Sequence, residues 1–301
     1  MAGERVLKSS PGMLPLFARA GATMIPGASK LPFLGGGDAS GELPDLVLAL
    51  EGVEVDPDRL AAYNRVCRFP LRDRLPSTYP HILAFPLQLS LMTDSSFPFP
   101  ALGLVHTANR IAQRRPLLIR EQLDLKVWAE ALEPHPRGKQ FSLRTKASVG
   151  GEVVWEETST ILKRGASGGN GDPRAQRPER KEQSAGEELP VSATWRLPGD
   201  LGRRYGSVSG DLNPIHMHSL SARLFGFPTA IAHGMWTKAR CLAALDPSLP
   251  SGFIVEVSFR KPILLPATVQ FGEQAHQRGV RFGVRGAGKG TPHLDGDVGF
   301  A

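Results

Sequence analysis

A chain of 301 residues exceeds one average domain, so two domains or one duplicated domain is the first arrangement to test. With 41% hydrophobic and 22% charged residues, the composition is that of a folded protein and excludes wholesale disorder. The net charge of +7 suits an anionic small-molecule substrate, whereas no nucleic-acid motif with interleaved aromatics and no run of about 18 apolar residues is present, so neither nucleic acid nor membrane is an expected partner.

Cys67 and Cys241 are the only cysteines, with no CxxC and no His/Cys cluster, so neither a disulfide framework nor a zinc site is expected, and the two read as buried thiols. The apolar stretch around Met13 to Ala22 is broken by Pro15 and Arg19, which makes a poor signal-peptide core. A cytoplasmic setting is the expectation.

In chain order, residues 1–44 read as an N-terminal arm that ends in a loose stretch from Gly35 to Pro44. The first half, residues 45–163, is expected to hold a helix over Leu102–Ala112 and then strands over Gln122–Ala131, Lys139–Val149 and Glu152–Leu162, which alternate in the β manner. Residues 164–190 are rich in Gly, Pro and charge and almost devoid of large apolar residues, so they cannot offset their ordering entropy and read as a flexible linker. Limited proteolysis is expected to cut first between Gly165 and Glu188 and to leave two fragments that stay associated; early cuts elsewhere would refute this division.

In the second half, residues 191–301, a helix from Pro214 to about Phe225 is expected, capped by Asn213 and stopped by Gly226. A longer Ala-rich helix over Ile231–Leu245 follows, stopped by Asp246-Pro247, and then strands at Gly252–Phe259, Thr268–Phe271, Val280–Val284 and His293–Phe300. FPALGLVHTANRI from Phe99 lies over FPTAIAHGMWTKA from Phe227, bringing His106 close to register with His233 and suggesting a repeat. A long helix followed by antiparallel strands, twice over, predicts an α+β double hotdog, in which each sheet wraps a central helix.

The segment richest in chemistry is Tyr205–Gly234, YGSVSGDLNPIHMHSLSARLFGFPTAIAHG. Asp211 falls just before the capped helix and His216 in its first turn, so a carboxylate and an imidazole can flank one water. The stretch resembles the hydratase-2 or MaoC-like dehydratase family, whose pattern is an aromatic residue, Ser-Gly-Asp-x-Asn-Pro-Ile-His, an Ala-Arg pair, Gly-Phe and Ala-His-Gly; every fixed element is present here. The resemblance implies reversible hydration of trans-2-enoyl thioesters to (R)-3-hydroxyacyl thioesters without metal or redox cofactor. It implies further that Asp211 and His216 hold the catalytic water, that Asn213 orients them, and that the Gly234 amide faces the thioester oxygen.

Tyr205, Ser209 and His233 are expected to line or support the substrate position, and His218 to lie near the site without a catalytic role. A thioester implies coenzyme A or acyl-carrier protein, whose phosphates Arg260 and Lys261 are expected to contact. Two alternatives stay open: the same chemistry run as dehydration on acyl-carrier protein, and a non-catalytic acyl-thioester binding subunit. The double hotdog implies a pseudo-dimer within one chain, with a further homodimer left open.

The first half lacks the motif. Between Tyr63 and His106 no Gly-Asp-x-Asn-Pro-x-His occurs, and Asp73 and His81 are eight apart with two prolines between them. This stretch is longer than its counterpart, and its additional residues from Ile82 to Phe99 are apolar, so they either wall a fatty-acyl tunnel or fill core.

Overall fold

The computed structural model describes residues 3–22, 41–165 and 189–300. Residues 166–188 of the expected linker, and most of the loose stretch before Pro44, lie outside the described residues. Strand β1 (Gly3–Val6) and helix α1 (Met13–Ala22) come first, then β2 (Leu46–Val53), α2 (Pro57–Cys67), α3 (Tyr79–Met92), β3 (Leu104–Gln113), β4 (Leu123–His135), β5 (Gly138–Val149) and β6 (Glu152–Arg164). Beyond residue 188 come β7 (Val191–Leu197), α4 (Leu201–Ser209), α5 (Pro214–Met217), α6 (Ser219–Leu224), α7 (Gly234–Leu245), β8 (Phe253–Phe259), β9 (Ala267–His276), β10 (Gly279–Gly286) and β11 (Pro292–Phe300).

These strands form one sheet in the order β1-β2-β4-β5-β6-β3-β8-β11-β10-β9-β7. With β1 set aside the order is a palindrome, matching β2 with β7, β4 with β9, β5 with β10, β6 with β11 and β3 with β8. The halves meet where β3 pairs antiparallel with β8, Ala108–Gln113 against Ser258–Phe253. Each set of strands wraps one apolar helix, α3 in the first half and α7 in the second, which is the double hotdog. The alternation that predicted the strands is a burial pattern: Leu123, Leu125, Val127 and Ala129 of β4 face the core and the residues between them do not. Helix α7 buries Met235, Trp236, Ala239, Leu242 and Leu245, and Trp236 Nε1 donates to the Val66 carbonyl of α2 (3.2 Å).

Three expectations need correction. The helix expected over Leu102–Ala112 is strand β3, and the central helix of the first half is α3, which overlaps the stretch read as additional apolar residues. Side chains of Ile82, Leu83, Ala84, Leu87 and Leu91 fill the core there. Accordingly His106 sits on a strand while His233 caps a helix, and the overlay of the two histidine-bearing segments fails. The physical cause is α3 itself: it is apolar on nearly all sides, as a fully enclosed helix must be, so it shows no 3.6-residue period, and Pro80 and Pro86 disguise it further.

Second, the helix expected from Pro214 to Phe225 breaks into α5 and α6 at His218, whose backbone is extended (φ −146°, ψ 151°). The Ser221 hydroxyl donates to the Pro214 carbonyl (2.7 Å), folding α6 back over α5. Third, α7 starts at Gly234 rather than Ile231, because the chain before it is extended: Ile231 bridges antiparallel to Leu264, and His233 has φ −67° and ψ 138°.

The described part of the N-terminal arm belongs to the fold. Strand β1 extends the sheet parallel to β2, and α1 buries Leu16 and Ala20. Across the two halves, α2 and α4 bring Tyr63 and Tyr205 together, with ring centroids 6.1 Å apart and the planes tilted by 49°.

Candidate active site

Helix α4 ends at Gly210, whose φ of +83° lies in the left-handed region that glycine enters without a Cβ penalty. The chain then turns sharply. The Asp211 amide donates to Ser209 Oγ (3.1 Å), and Asp211 Oδ1 accepts the Asn213 amide (3.1 Å). Asn213 Oδ1 in turn accepts the Ile215 amide (3.4 Å), and Pro214 occupies the first turn, so the cap read from the sequence starts α5. These local bonds leave Asp211 Oδ2 facing inward, 3.7 Å from His233 Nε2, on a side chain 27% exposed.

His216 is buried, and its Nδ1 lies 2.8 Å from the Ile231 carbonyl oxygen. A carbonyl only accepts, so the proton is on Nδ1 and Nε2 carries a free lone pair. His233 Nε2 donates to the Asp211 carbonyl (3.1 Å) by the same logic, while its buried Nδ1 has no protein partner. The two imidazoles stack at 3.6 Å with 24° between their planes, and Tyr205 packs on His233 at 4.8 Å. Asp211, His216 and His233 each bring a ligand atom within 4.8 Å of the others.

Two imidazolium ions could not sit so close. Burial pushes the His216 pKa down, against the opposing pull of Asp211 and the Ile231 carbonyl. Burial and then the His216 charge push His233 down to about 3. Both rings are therefore neutral near pH 7.

The sign of the linkage follows. A histidine whose folded pKa is depressed takes up its proton only on unfolding, so stability declines as pH falls below the ordinary value of about 6.5. His106, pushed down to about 4 mainly by burial, acts in the same direction. The urea midpoint is expected to fall steadily from about pH 6.5 to about pH 4; a flat profile over that interval would contradict neutral, buried histidines.

Gly234 opens α7, and the first amides of a helix have no intrahelical partner. A Cβ at this position would lie 3.0 to 3.2 Å from the Phe259 ring, so a larger residue here would push that ring back by a few tenths of an ångström. The His106 ring, from the first half, meets Phe259 edge-on at 5.0 Å.

Asp211, Asn213, His216, His233 and Gly234 thus converge. Ser209 and Tyr205 are buried beneath them, where Ser209 holds the Asp211 turn and Tyr205 backs His233. Arg260 is exposed and paired with Asp295 at 2.7 Å, and Lys261 is exposed just after β8. Sequence reasoning missed the Ile231 carbonyl that sets the His216 tautomer, since a main-chain acceptor leaves no residue-type signal. It also missed the approach of His106 from the first half to Phe259.

A family model described as "MaoC like domain" matches residues 176–290. The curated relative "3-hydroxyacyl-thioester dehydratase X" of Mycobacterium tuberculosis is 38% identical over 257 residues, 85% of this chain and 90% of its own. The crystal structure of HtdX from the same organism superposes with a TM-score of 0.74 at 38% identity, covering 84% of this chain and 99% of that one. A MaoC-like dehydratase from Phytophthora capsici shares the fold at 19% identity, with a TM-score of 0.69 over 85% of this chain and 95% of that one. With a relative this similar over nearly its whole length, and with the Asp-x-Asn-Pro-x-His segment folded into one cluster, the chain belongs to the MaoC-like dehydratase family.

Proposed function

We propose that this protein catalyses the reversible hydration of trans-2-enoyl thioesters to (R)-3-hydroxyacyl thioesters. The observation that carries the reading is the convergence of the Asp211 carboxylate and the neutral His216 imidazole near the free amide end of α7. A water held between Asp211 and His216 Nε2 attacks C3 as one of the pair removes its proton. The C2=C3 electrons move to the thioester oxygen, and C2 then takes a proton from the pair. Charge that builds on the thioester oxygen is met by the Gly234 amide and the positive end of the helix dipole. Asn213 fixes the Asp211 turn, and His233 with Tyr205 supports the pair from below.

The same proposal divides the chain into residues 1–44, 45–163, 164–190 and 191–301, with the first half serving as a partner without its own motif. At the position matching Gly234, α3 starts with Tyr79 and Pro80, a bulky ring and a residue with no amide proton, which supports that reading. Arg260 and Lys261 are the proposed contacts for the phosphates of coenzyme A or a carrier protein. A cytoplasmic setting is proposed from the two buried free thiols; among the described residues no helix is long and apolar enough to cross a membrane.

The test is hydration of crotonyl-CoA, then of a chain-length series offered on both coenzyme A and acyl-carrier protein. An (R)-3-hydroxyacyl product supports the proposal. Release of free thiol would make the protein a thioesterase, and binding without turnover would make it an acyl-thioester binding subunit.

A further inference from the structure

The turn that presents Asp211 is held from outside its own half. Arg59, on α2 of the first half, donates from Nε to the Val208 carbonyl (2.9 Å) and from its Nη2 to the Ser209 carbonyl (3.3 Å). These are the carbonyls of the last two residues of α4, immediately before Gly210 and Asp211. Helix-end carbonyls lack intrahelical partners and carry the negative end of the dipole, so a guanidinium fork satisfies both hydrogen bonding and charge there. On the same turn, Met13 of α1 covers Gly210: a Cβ built on that glycine would meet Met13 Cγ at 3.2 Å and Arg59 Nη2 at 3.7 Å.

We infer that Arg59 is a positioning residue for the catalytic turn, and that the half lacking the motif contributes to catalysis through it. The inference rests on the role proposed for Asp211. With both carbonyls clamped, the Gly210 turn has one arrangement, and Asp211 is held at a fixed distance from His216. Without the clamp, the carbonyls turn to water and the turn samples other arrangements, while the substrate's main binding surface stays in place. A displacement of about 1 Å at a reacting group can cost on the order of 100-fold in rate. The signature is accordingly a loss in kcat with little change in KM, which separates lost positioning from lost substrate binding.

The experiment measures kcat, KM and thermal midpoint on full-length Arg59→Ala, Arg59→Lys and Asp211→Asn, with crotonyl-CoA as substrate. Arg59→Ala is expected to remain folded and to lose about tenfold to a hundredfold in kcat, with KM within about twofold of the parent. Arg59→Lys, which keeps the charge and a donor group but not the planar fork, is expected to fall between Arg59→Ala and the parent, and millimolar methylguanidinium to restore part of the Arg59→Ala rate. If Arg59→Ala does not fold, the same kcat and KM comparison is read on Arg59→Lys, whose aliphatic stem preserves the packing.

A lower midpoint with parental kcat per folded molecule would overturn the inference, as would a loss confined to KM. Asp211→Asn separates the two failures. An inactive Asp211→Asn beside a fully active Arg59→Ala refutes the positioning role alone, while an active Asp211→Asn refutes the site reading on which it rests.

Discussion

Replacing Asp211 by Asn, or His216 by Gln, is expected to reduce hydration at least about a hundredfold while leaving the protein folded, since general acid–base groups commonly contribute about 10² to 10⁴. Both substitutions are chosen to keep the local bonds. The side-chain carbonyl of an asparagine in place of Asp211 can still accept the Asn213 amide, and the side-chain amide of a glutamine in place of His216 can still donate to the Ile231 carbonyl, so the turn and the start of α5 survive. What each removes is the ability to take a proton. The parent should also lose kcat/KM on the acid side, as His216 takes up the proton that blocks its Nε2; because burial holds its pKa down, that limb falls below about pH 6.5. Near-parental turnover in either variant would sink the site assignment.

The largest stability effect is expected far from the turn, in a buried polar chain that joins the halves. Glu157 on β6 accepts from His81 Nδ1 (2.9 Å), Gln88 Nε2 (3.1 Å) and Asn109 Nδ2 (2.7 Å). Asn109 Oδ1 accepts from Lys238 Nζ, on α7 of the second half, which also lies 3.4 Å from the carbonyls of Asn109 and Val255. Burial alone would push the Glu157 carboxyl up, but the neighbouring His81, Asn109 and Lys238 outweigh it and leave the pKa below its usual range. Burial pushes Lys238 down to about 7, against the pull of Glu157 and Glu256.

Removing one partner strands the other in a dry interior, which typically costs about 3 to 5 kcal/mol, whereas removing both can be nearly neutral. Glu157→Leu and Lys238→Met should therefore each lower the urea-unfolding free energy by that amount at about pH 6, where Lys238 is charged, and the double variant by far less than the sum. Additive losses would mean that the two charges do not sense each other through Asn109.

The second half was the legible one because its signals are local. Gly210, Asp211, Asn213, Pro214 and His216 fall within one turn and one short helix, so capping rules alone bring the Asp211 and His216 side chains together. Strand β8 alternates, burying Phe253, Val255 and Val257, and α7 carries enough Lys, Thr and Arg to be recognised by pattern. The first half hid its central helix, since α3 buries every face and holds Pro86 inside it, so neither periodicity nor propensity marks it. Strand β3 was mistaken for that helix because Leu, Ala and His suit either state, and only pairing with β6 and β8 decides. Arg59 and the Glu157–Lys238 chain were invisible for a simpler reason. Apart from the Val255 carbonyl, 17 residues from Lys238, their partners lie 48 to 150 residues away, and no sequence window holds both ends.

The seam between β3 and β8 also constrains how such a chain can be taken apart. Antiparallel ladders are the kind a two-fold axis can cross, and the palindromic strand order puts that axis at the centre of the sheet. Freed from the first half, β8 would present an open edge that matches a second copy of itself. A self-paired fragment would then hold two copies of the Asp211 turn, each facing the α4 of its twin where the intact chain offers α2. The covalent pairing of unlike halves gives up one potential site and sets Arg59 beside the other.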